Sequence, residues 1–164
     1  PERSVNNPMG FQWFPIPWLD GSTETQAKEA MGRSIGAVNA FLDKVLTDEG
    51  LTPDRMVLIG FSQGTMMALH VAPRRDQAVA GIVGFSGRLL APELIDEVKV
   101  RPPVLLAHGD QDPMVPFADM GLAAGALEQA GFDVQTHVMK NTPHGISPDG
   151  LSVALQFLKR HLGK

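Results

Sequence analysis

The sequence contains no cysteine. That excludes disulfides, thiolate zinc sites and a cysteine nucleophile, and it fits a reducing compartment, so a cytoplasmic location is expected. It also lacks any run of like charge: 14 Lys and Arg stand against 18 Asp and Glu, for a net charge of −4. A basic stripe for nucleic acid is therefore absent, and no nucleic-acid partner is expected. No apolar stretch reaches the ~18 residues that a membrane-spanning helix needs. The opening PERSVNNPMG has neither the apolar core of a secretory signal nor an initiator methionine. The chain is therefore read as processed or shortened at its front.

What is present has the length for one domain with a real core. Residues 1–21 hold four prolines and both tryptophans and show no helical or strand period, so they read as loop. Thr23 with Gln26 forms a capping-box pattern. Met31, Ile35, Val38, Leu42 and Val45 then step by four and three along one helix face, and Gly50 is placed to end it. Four strands follow at 55–60, 79–85, 103–108 and 133–139, with helices at 63–71, 92–97, 117–130 and 149–162. The first three strands are nearly continuous apolar runs, as expected of strands covered on both faces. Spacings of 24, 24 and 30 residues between strand starts suit β–α–β crossovers. The fold class is thus α/β, a mostly parallel sheet with helices on both faces, and no domain boundary is visible within 1–164.

Gly60-Phe61-Ser62-Gln63-Gly64 reads G-x-S-x-G, a pattern too short to stand alone. Gly32-Arg33-Ser34-Ile35-Gly36 matches it equally well. Context separates the two. Ser34 lies inside the long helical pattern. Ser62 follows an apolar strand and precedes a helix, the setting in which a serine is held on a strained turn. A Cβ on Gly60 or Gly64 is expected to clash with the neighbouring strand or helix. The N–H of Gln63 stands at the positive end of the new helix, where it can receive a developing oxyanion.

A serine nucleophile needs a base, most often histidine. Of five histidines, His70 reads as a helix packing or surface residue, His137 as a strand residue, and His161 as a cation suited to a helix C-terminus. His108 reads as a brace for the loop it precedes. His144 differs: it sits in NTPHGIS, just past the strand at 133–139, between Pro143 and Gly145. The orienting acid comes from HGDQDPMVP at 108–116, where Asp110 and Asp112 both have the chemistry to fix a histidine tautomer. A metal site at His108, Asp110 and Asp112 is not expected, because no second ligand cluster accompanies them. The serine, the acid and the histidine each follow the carboxyl end of a parallel strand, where open α/β sheets bind ligands. Their chain order, Ser-Asp-His, is that of α/β-hydrolases.

With these residues in place, the chain resembles the phospholipase/carboxylesterase family, which includes bacterial carboxylesterases and acyl-protein thioesterases. The matching pieces are PERS at the start, WF at 13–14, GFSQGT at 60–65, GFSG at 84–87, HGDQDPMVP at 108–116 and PHGIS at 143–147. The resemblance implies Ser62 as nucleophile, His144 as base and, from the HGxxDxxVP pattern, Asp112 as the acid. Thr65 replaces a glycine common in the family. The H-G-x-G oxyanion loop and the strands that precede it in the family have no counterpart here. The expectation is therefore the C-terminal three-quarters of a single α/β-hydrolase domain, with a missing N-terminal segment or companion fragment.

The activity expected is hydrolysis of carboxylic esters, thioesters or lysophospholipids through an acyl-enzyme, with no cofactor and no metal. Trp13, Phe14, Leu89 and Met114 are the expected walls of an acyl pocket. A small acyl ester is the expected partner, and a homodimer is compatible with the sequence. The alternative is a non-catalytic binding module or an inactive fragment of the same fold.

Overall fold

The computed structural model describes residues 1–4, 7 and 9–163, with the side chains of 18 and 19 left out of the description. Its chain divides into two compact units, Pro1–Gly50 and Leu51–Lys164.

In the first unit, β1 (Glu2–Arg3) pairs antiparallel with β2 (Phe11–Gln12), and a single helical turn, α1 (Pro17–Asp20), follows. The sequence was expected to be loop throughout this stretch. Two-residue strands and a four-residue helix are too short to show a period, which is why they escape a pattern search. The long helix α2 (Glu24–Glu49) starts and stops where its punctuation says: Thr23 and Gln26 make a complete capping box, and Gly50 takes a left-handed conformation at the C-cap. The predicted apolar face, 31, 35, 38, 42 and 45, is its buried and half-buried side.

The second unit carries the sheet: β3 (Val57–Phe61), β4 (Gly81–Phe85), β5 (Val104–Gly109) and β6 (Val134–Met139), all parallel and in sequential order. Between and after them run α3 (Gln63–Val71), α4 (Ala118–Gln129) and α5 (Pro148–Leu162). Side chains alternate across the sheet. Ile82, Val104 and Leu106 pack with Leu69 of α3 and Leu127 of α4, while Val83, Phe85, Leu105 and Ala107 pack with Ala154 and Phe157 of α5. Helices therefore pack on both faces, as a parallel sheet requires.

Two expectations need correction. The strand at 55–60 was read as covered on both faces. β3 lies at the end of the strand order, and on the α5 side of the sheet Ile59 is 57% exposed and Phe61 39%. An apolar run states that a strand is hydrophobic, not where it sits in the sheet. The helix at 92–97 is a tighter, irregular turn, because Leu94 departs from helical angles at φ −97, ψ 17.

Candidate active site

Ser62 stands at the junction of β3 and α3 with φ 54 and ψ −118, a conformation a side chain rarely adopts. The turn is held on both sides. The Ser62 N–H donates to the Phe85 carbonyl at 2.9 Å, and the Thr65 hydroxyl donates to the same carbonyl at 2.8 Å. Gly60 is there for space: a Cβ at that position would lie 2.5 Å from the Gly64 carbonyl oxygen and closer still to the Thr65 nitrogen. Gly64 is not. A Cβ on Gly64 would meet no described atom within 4 Å, so the expectation that both glycines avoid a clash holds only for Gly60. The reason is direction: the Gly60 Cβ would point into the first turn of α3, whereas that of Gly64 points away from described atoms.

Thr65 is 1% exposed, and its methyl group sits where β4 and the loop after it carry glycines. A Cβ on Gly84 would lie 2.5 Å from Thr65 Cγ2, and one on Gly87 would lie 2.5 Å from Thr65 Cβ. The threonine that replaces the family's common glycine is thus accommodated by two glycines opposite it.

The candidate acid and base come from the loops after β5 and β6. The Asp112 carboxylate is fully buried. Its Oδ1 accepts the N–H of Met114 at 2.8 Å and of Val115 at 3.0 Å. Its Oδ2 lies 2.7 Å from His144 Nδ1. Burial pushes the carboxyl pKa up, but the hydrogen bonds from His144 and from the two backbone N–H groups outweigh it and hold the group below the ordinary carboxylate value. Asp112 is therefore ionised at neutral pH. Asp110, the other candidate, buries Oδ1 with no hydrogen-bond partner among the described residues and does not bond to a histidine.

Backbone packing brings these loops together. Gly109 closes β5 so tightly against the histidine loop that a Cβ there would sit 2.5 Å from the Pro143 carbonyl oxygen. Gln111 N–H donates to the Thr142 carbonyl at 3.1 Å. On the other side, the His144 ring lies 4.8 Å from the ring of Phe61, the residue before Ser62. The Ser86 hydroxyl reaches the Gly145 carbonyl at 3.4 Å. Ser62, Asp112 and His144 thus stand at one edge of the sheet, with Asp112 and His144 hydrogen-bonded and the His144 ring set beside the serine turn.

The remaining sequence candidates fall as follows. Gln63 is the first residue of α3, with its N–H at that helix's start. Leu89 is half-buried and lines a cleft of about 210 Å³ with Arg88, Pro92, Asp119, Leu122 and Ala123. Met114, next but one to Asp112, is 59% exposed and is not among the residues lining that cleft. Trp13 and Phe14 belong to the first unit, where Phe14 is buried. Ser34, the second G-x-S-x-G serine, lies in mid-α2 and donates its hydroxyl to the Trp13 carbonyl. Of the other histidines, His137 pairs with Asp149 at 2.7 Å, His161 lies tilted against Phe157, and His70 is buried with Nδ1 unpartnered among the described residues. Among the described residues no helix is long and apolar enough to cross a membrane.

Comparison with known proteins agrees with this architecture. A model of the family described as Phospholipase/Carboxylesterase matches residues 1–162. The crystal structure of esterase PE8 superposes with a TM-score of 0.90 at 36% identity, covering 99% of this chain and 75% of that one. Acyl-protein thioesterase 1 of Gibberella zeae is 29% identical over 99% of this chain and 74% of its own length. Esterase YpfH of Escherichia coli is 28% identical over 96% of this chain and 66% of its own.

Proposed function

We propose a Ser62–His144–Asp112 mechanism for this chain, which belongs to the phospholipase/carboxylesterase family and is a carboxylesterase-type hydrolase of esters or thioesters. The observation that carries the proposal is the 2.7 Å bond between Asp112 Oδ2 and His144 Nδ1, with the same ring packed against the residue that precedes Ser62.

The roles follow from that geometry. A carboxylate on Nδ1 requires the proton there, which leaves His144 Nε2 as the basic nitrogen. Ser62 Oγ attacks the acyl carbonyl carbon while its proton passes to Nε2. The carbonyl oxygen becomes an oxyanion, received by the Gln63 N–H at the start of α3. Collapse breaks the bond to the leaving alcohol or thiol, which takes the proton from His144. Water then attacks the acyl-enzyme, gives a proton to Nε2, and releases the carboxylic acid as the proton returns to Ser62. Asp112 stays ionised throughout and stabilises the imidazolium.

Leu89 and its cleft neighbours Pro92, Leu122 and Ala123 offer apolar surface for an acyl chain, and Met114 offers more beside Asp112. Esters of modest acyl length, and thioesters of the same acyl groups, are the proposed substrates. The whole chain is proposed to act as one hydrolase domain, since one family match runs across both compact units. A cytoplasmic location belongs to the same proposal and rests on the cysteine-free sequence.

The test is covalent labelling with a fluorophosphonate probe alongside hydrolysis of a panel of acyl esters and thioesters. Ser62→Ala should lose labelling and turnover together. Ser34→Ala should keep both, at a lower melting temperature because a buried serine donor is lost. Labelling that survives Ser62→Ala would refute the assignment, and a folded wild-type chain that neither labels nor turns over would favour a binding role.

A further inference from the structure

The network around Asp112 includes a residue that the proposed reaction does not use. His108 lies in β5, and its side chain is 1% exposed. Its Nε2 is 3.0 Å from the Val115 carbonyl oxygen and 3.3 Å from Asp112 Oδ2. Both neighbours are acceptors only. A bare nitrogen lone pair would face a carbonyl dipole and a carboxylate charge in a dry setting, with two repulsions and no donor to relieve them. The ring proton must therefore sit on Nε2, shared between Val115 and Asp112. Phe117 closes the ring edge-on at 6.1 Å.

Asp112 Oδ2 thus receives two imidazole nitrogens, His144 Nδ1 at 2.7 Å and His108 Nε2 at 3.3 Å. Val115 is held at both ends, its N–H by Asp112 and its carbonyl by His108. The carboxylate cannot turn about its own axis without breaking bonds on both oxygens.

We propose that His108 is a positioning residue for the hydrolysis: its Nε2–H fixes the Asp112 carboxylate with Oδ2 towards His144 and draws part of that oxygen's charge away from His144. The proposal rests on the triad reading. Its consequence is a definite sign. Without the His108 donor, the charge of Asp112 falls more fully on His144, which then keeps its proton to higher pH and is inactive there as a base. Other ionisable groups on the surrounding elements include Asp110 beside Asp112, Lys140 ahead of the histidine loop, His137 paired with Asp149, Arg88 paired with Asp119, His70 on α3, Glu128 on α4, and Lys159, Arg160 and His161 on α5. Substitution at His108 leaves all of them in place.

The experiment compares His108→Met, which has no donor, His108→Gln, whose amide nitrogen reaches about as far as Nε2, and His108→Asn, whose amide is too short. Each is assayed for kcat and KM on a chromogenic ester from acid to mildly basic pH, with melting temperature as a control. His108→Met should lose about tenfold in kcat, the worth of one hydrogen bond to a charged group, with KM nearly unchanged. Its acid-limb inflection should rise by about half a pH unit or more. His108→Asn should behave like His108→Met, and His108→Gln should restore both rate and inflection.

An inflection that stays put or moves down in His108→Met overturns the proposal, as does a His108→Gln no better than the other two. If His108→Met fails to fold, the contrast between Asn and Gln decides the matter in the same way. Asp112→Asn, run alongside, separates the two levels of inference. Near-normal turnover in Asp112→Asn would sink the triad reading itself, whereas its loss together with an unmoved profile in His108→Met sinks only the role of His108.

Discussion

Replacing Asp112 with asparagine removes one charge and leaves the shape, so the outcome depends on which way the amide turns. Oδ1 accepts two backbone N–H groups, from Met114 and Val115. Presenting the amide NH₂ to them would set donor against donor twice and leave both backbone N–H groups without their acceptor. The amide oxygen must therefore stay at the Oδ1 position, and the NH₂ takes the place of Oδ2. There it faces His144 Nδ1 and the His108 N–H. An amide N–H pointing at Nδ1 can be accepted only by the tautomer that carries its proton on Nε2. That tautomer cannot take a proton from Ser62. The loss thus has two parts, the wrong tautomer and an imidazolium without its counter-charge. The same substitution in a serine protease lowers kcat by ~10⁴, equivalent to ~5.5 kcal/mol of barrier, and that size is expected here. The assay is kcat on a short-chain ester, with circular dichroism and melting temperature confirming the fold. Asp110→Asn is the control. It neutralises a carboxylate whose buried Oδ1 has no partner among the described residues, so it should cost little rate and no stability. An Asp112→Asn enzyme within tenfold of wild type, or an Asp110→Asn enzyme that is the worse of the two at unchanged melting temperature, would refute the reasoning.

The depressed pKa of Asp112 makes a stability prediction as well. A carboxylate whose folded pKa lies below its unfolded value contributes fully above that unfolded value, ~3.9, and loses the contribution as pH falls through the folded one. The melting-temperature gap between wild type and Asp112→Asn should therefore be steady from pH 7 to about 5 and shrink in stronger acid; a gap unchanged down to pH 2 would contradict it. Gly60→Ala should disable the enzyme, because the added methyl meets α3 backbone that cannot yield, while Gly64→Ala, with open space around its Cβ, should remain active. Equal damage in both would show that the turn is constrained by something other than this contact. Gly84→Ala should destabilise by roughly 1–3 kcal/mol through overpacking against the Thr65 methyl. In a Thr65→Ser background, which deletes that methyl and keeps the hydroxyl bond to Phe85, the cost should largely disappear, and strictly additive effects in a denaturant double-mutant cycle would count against the contact.

The parts of this structure that were legible in the sequence are those governed by local periodicity and punctuation. The capping box at Thr23 and the stop at Gly50 lie within a few residues of each helix end, and the strand patterns locate the four strands of the parallel sheet to within two residues. The serine turn was legible because strand, G-x-S-x-G and helix are contiguous. What escaped depends on position in the sheet or on contacts between distant loops. Nothing in RMVLIG says that β3 stands at the end of the strand order among the described residues, so the exposure of Ile59 could not be foreseen. The choice between Asp110 and Asp112 needed a family pattern, since two carboxylates two residues apart in a loop are chemically equal until the chain is folded. His108 read only as a loop brace, because its proximity to Asp112 arises where the chain leaves β5 and turns back on itself.

The sheet does more than present these loops at one edge; its hydrogen bonding continues into them. Beyond the paired strands, Ser62 N–H bonds to Phe85, Ser86 N–H to Ala107, and Asp110 N–H to Met139. Each of these steps across to the neighbouring strand and continues the parallel ladder. The Ser62 turn, the loop after β4 and the Asp112 loop are therefore set in register by bonds that continue those of the strands, and the His144 loop is locked to them through Gly109 and Gln111. A reacting geometry that tolerates errors of only a fraction of an ångström calls for such a rigid support. The cleft beside Leu89 is built differently, from a half-buried turn, the Arg88–Asp119 ion pair and exposed Leu122. The bonds between Arg88 and Asp119 are separate from the bond of the Asp112–His144 pair. Under the proposed function, substitutions there should alter which acyl group is accepted without moving Ser62, Asp112 or His144.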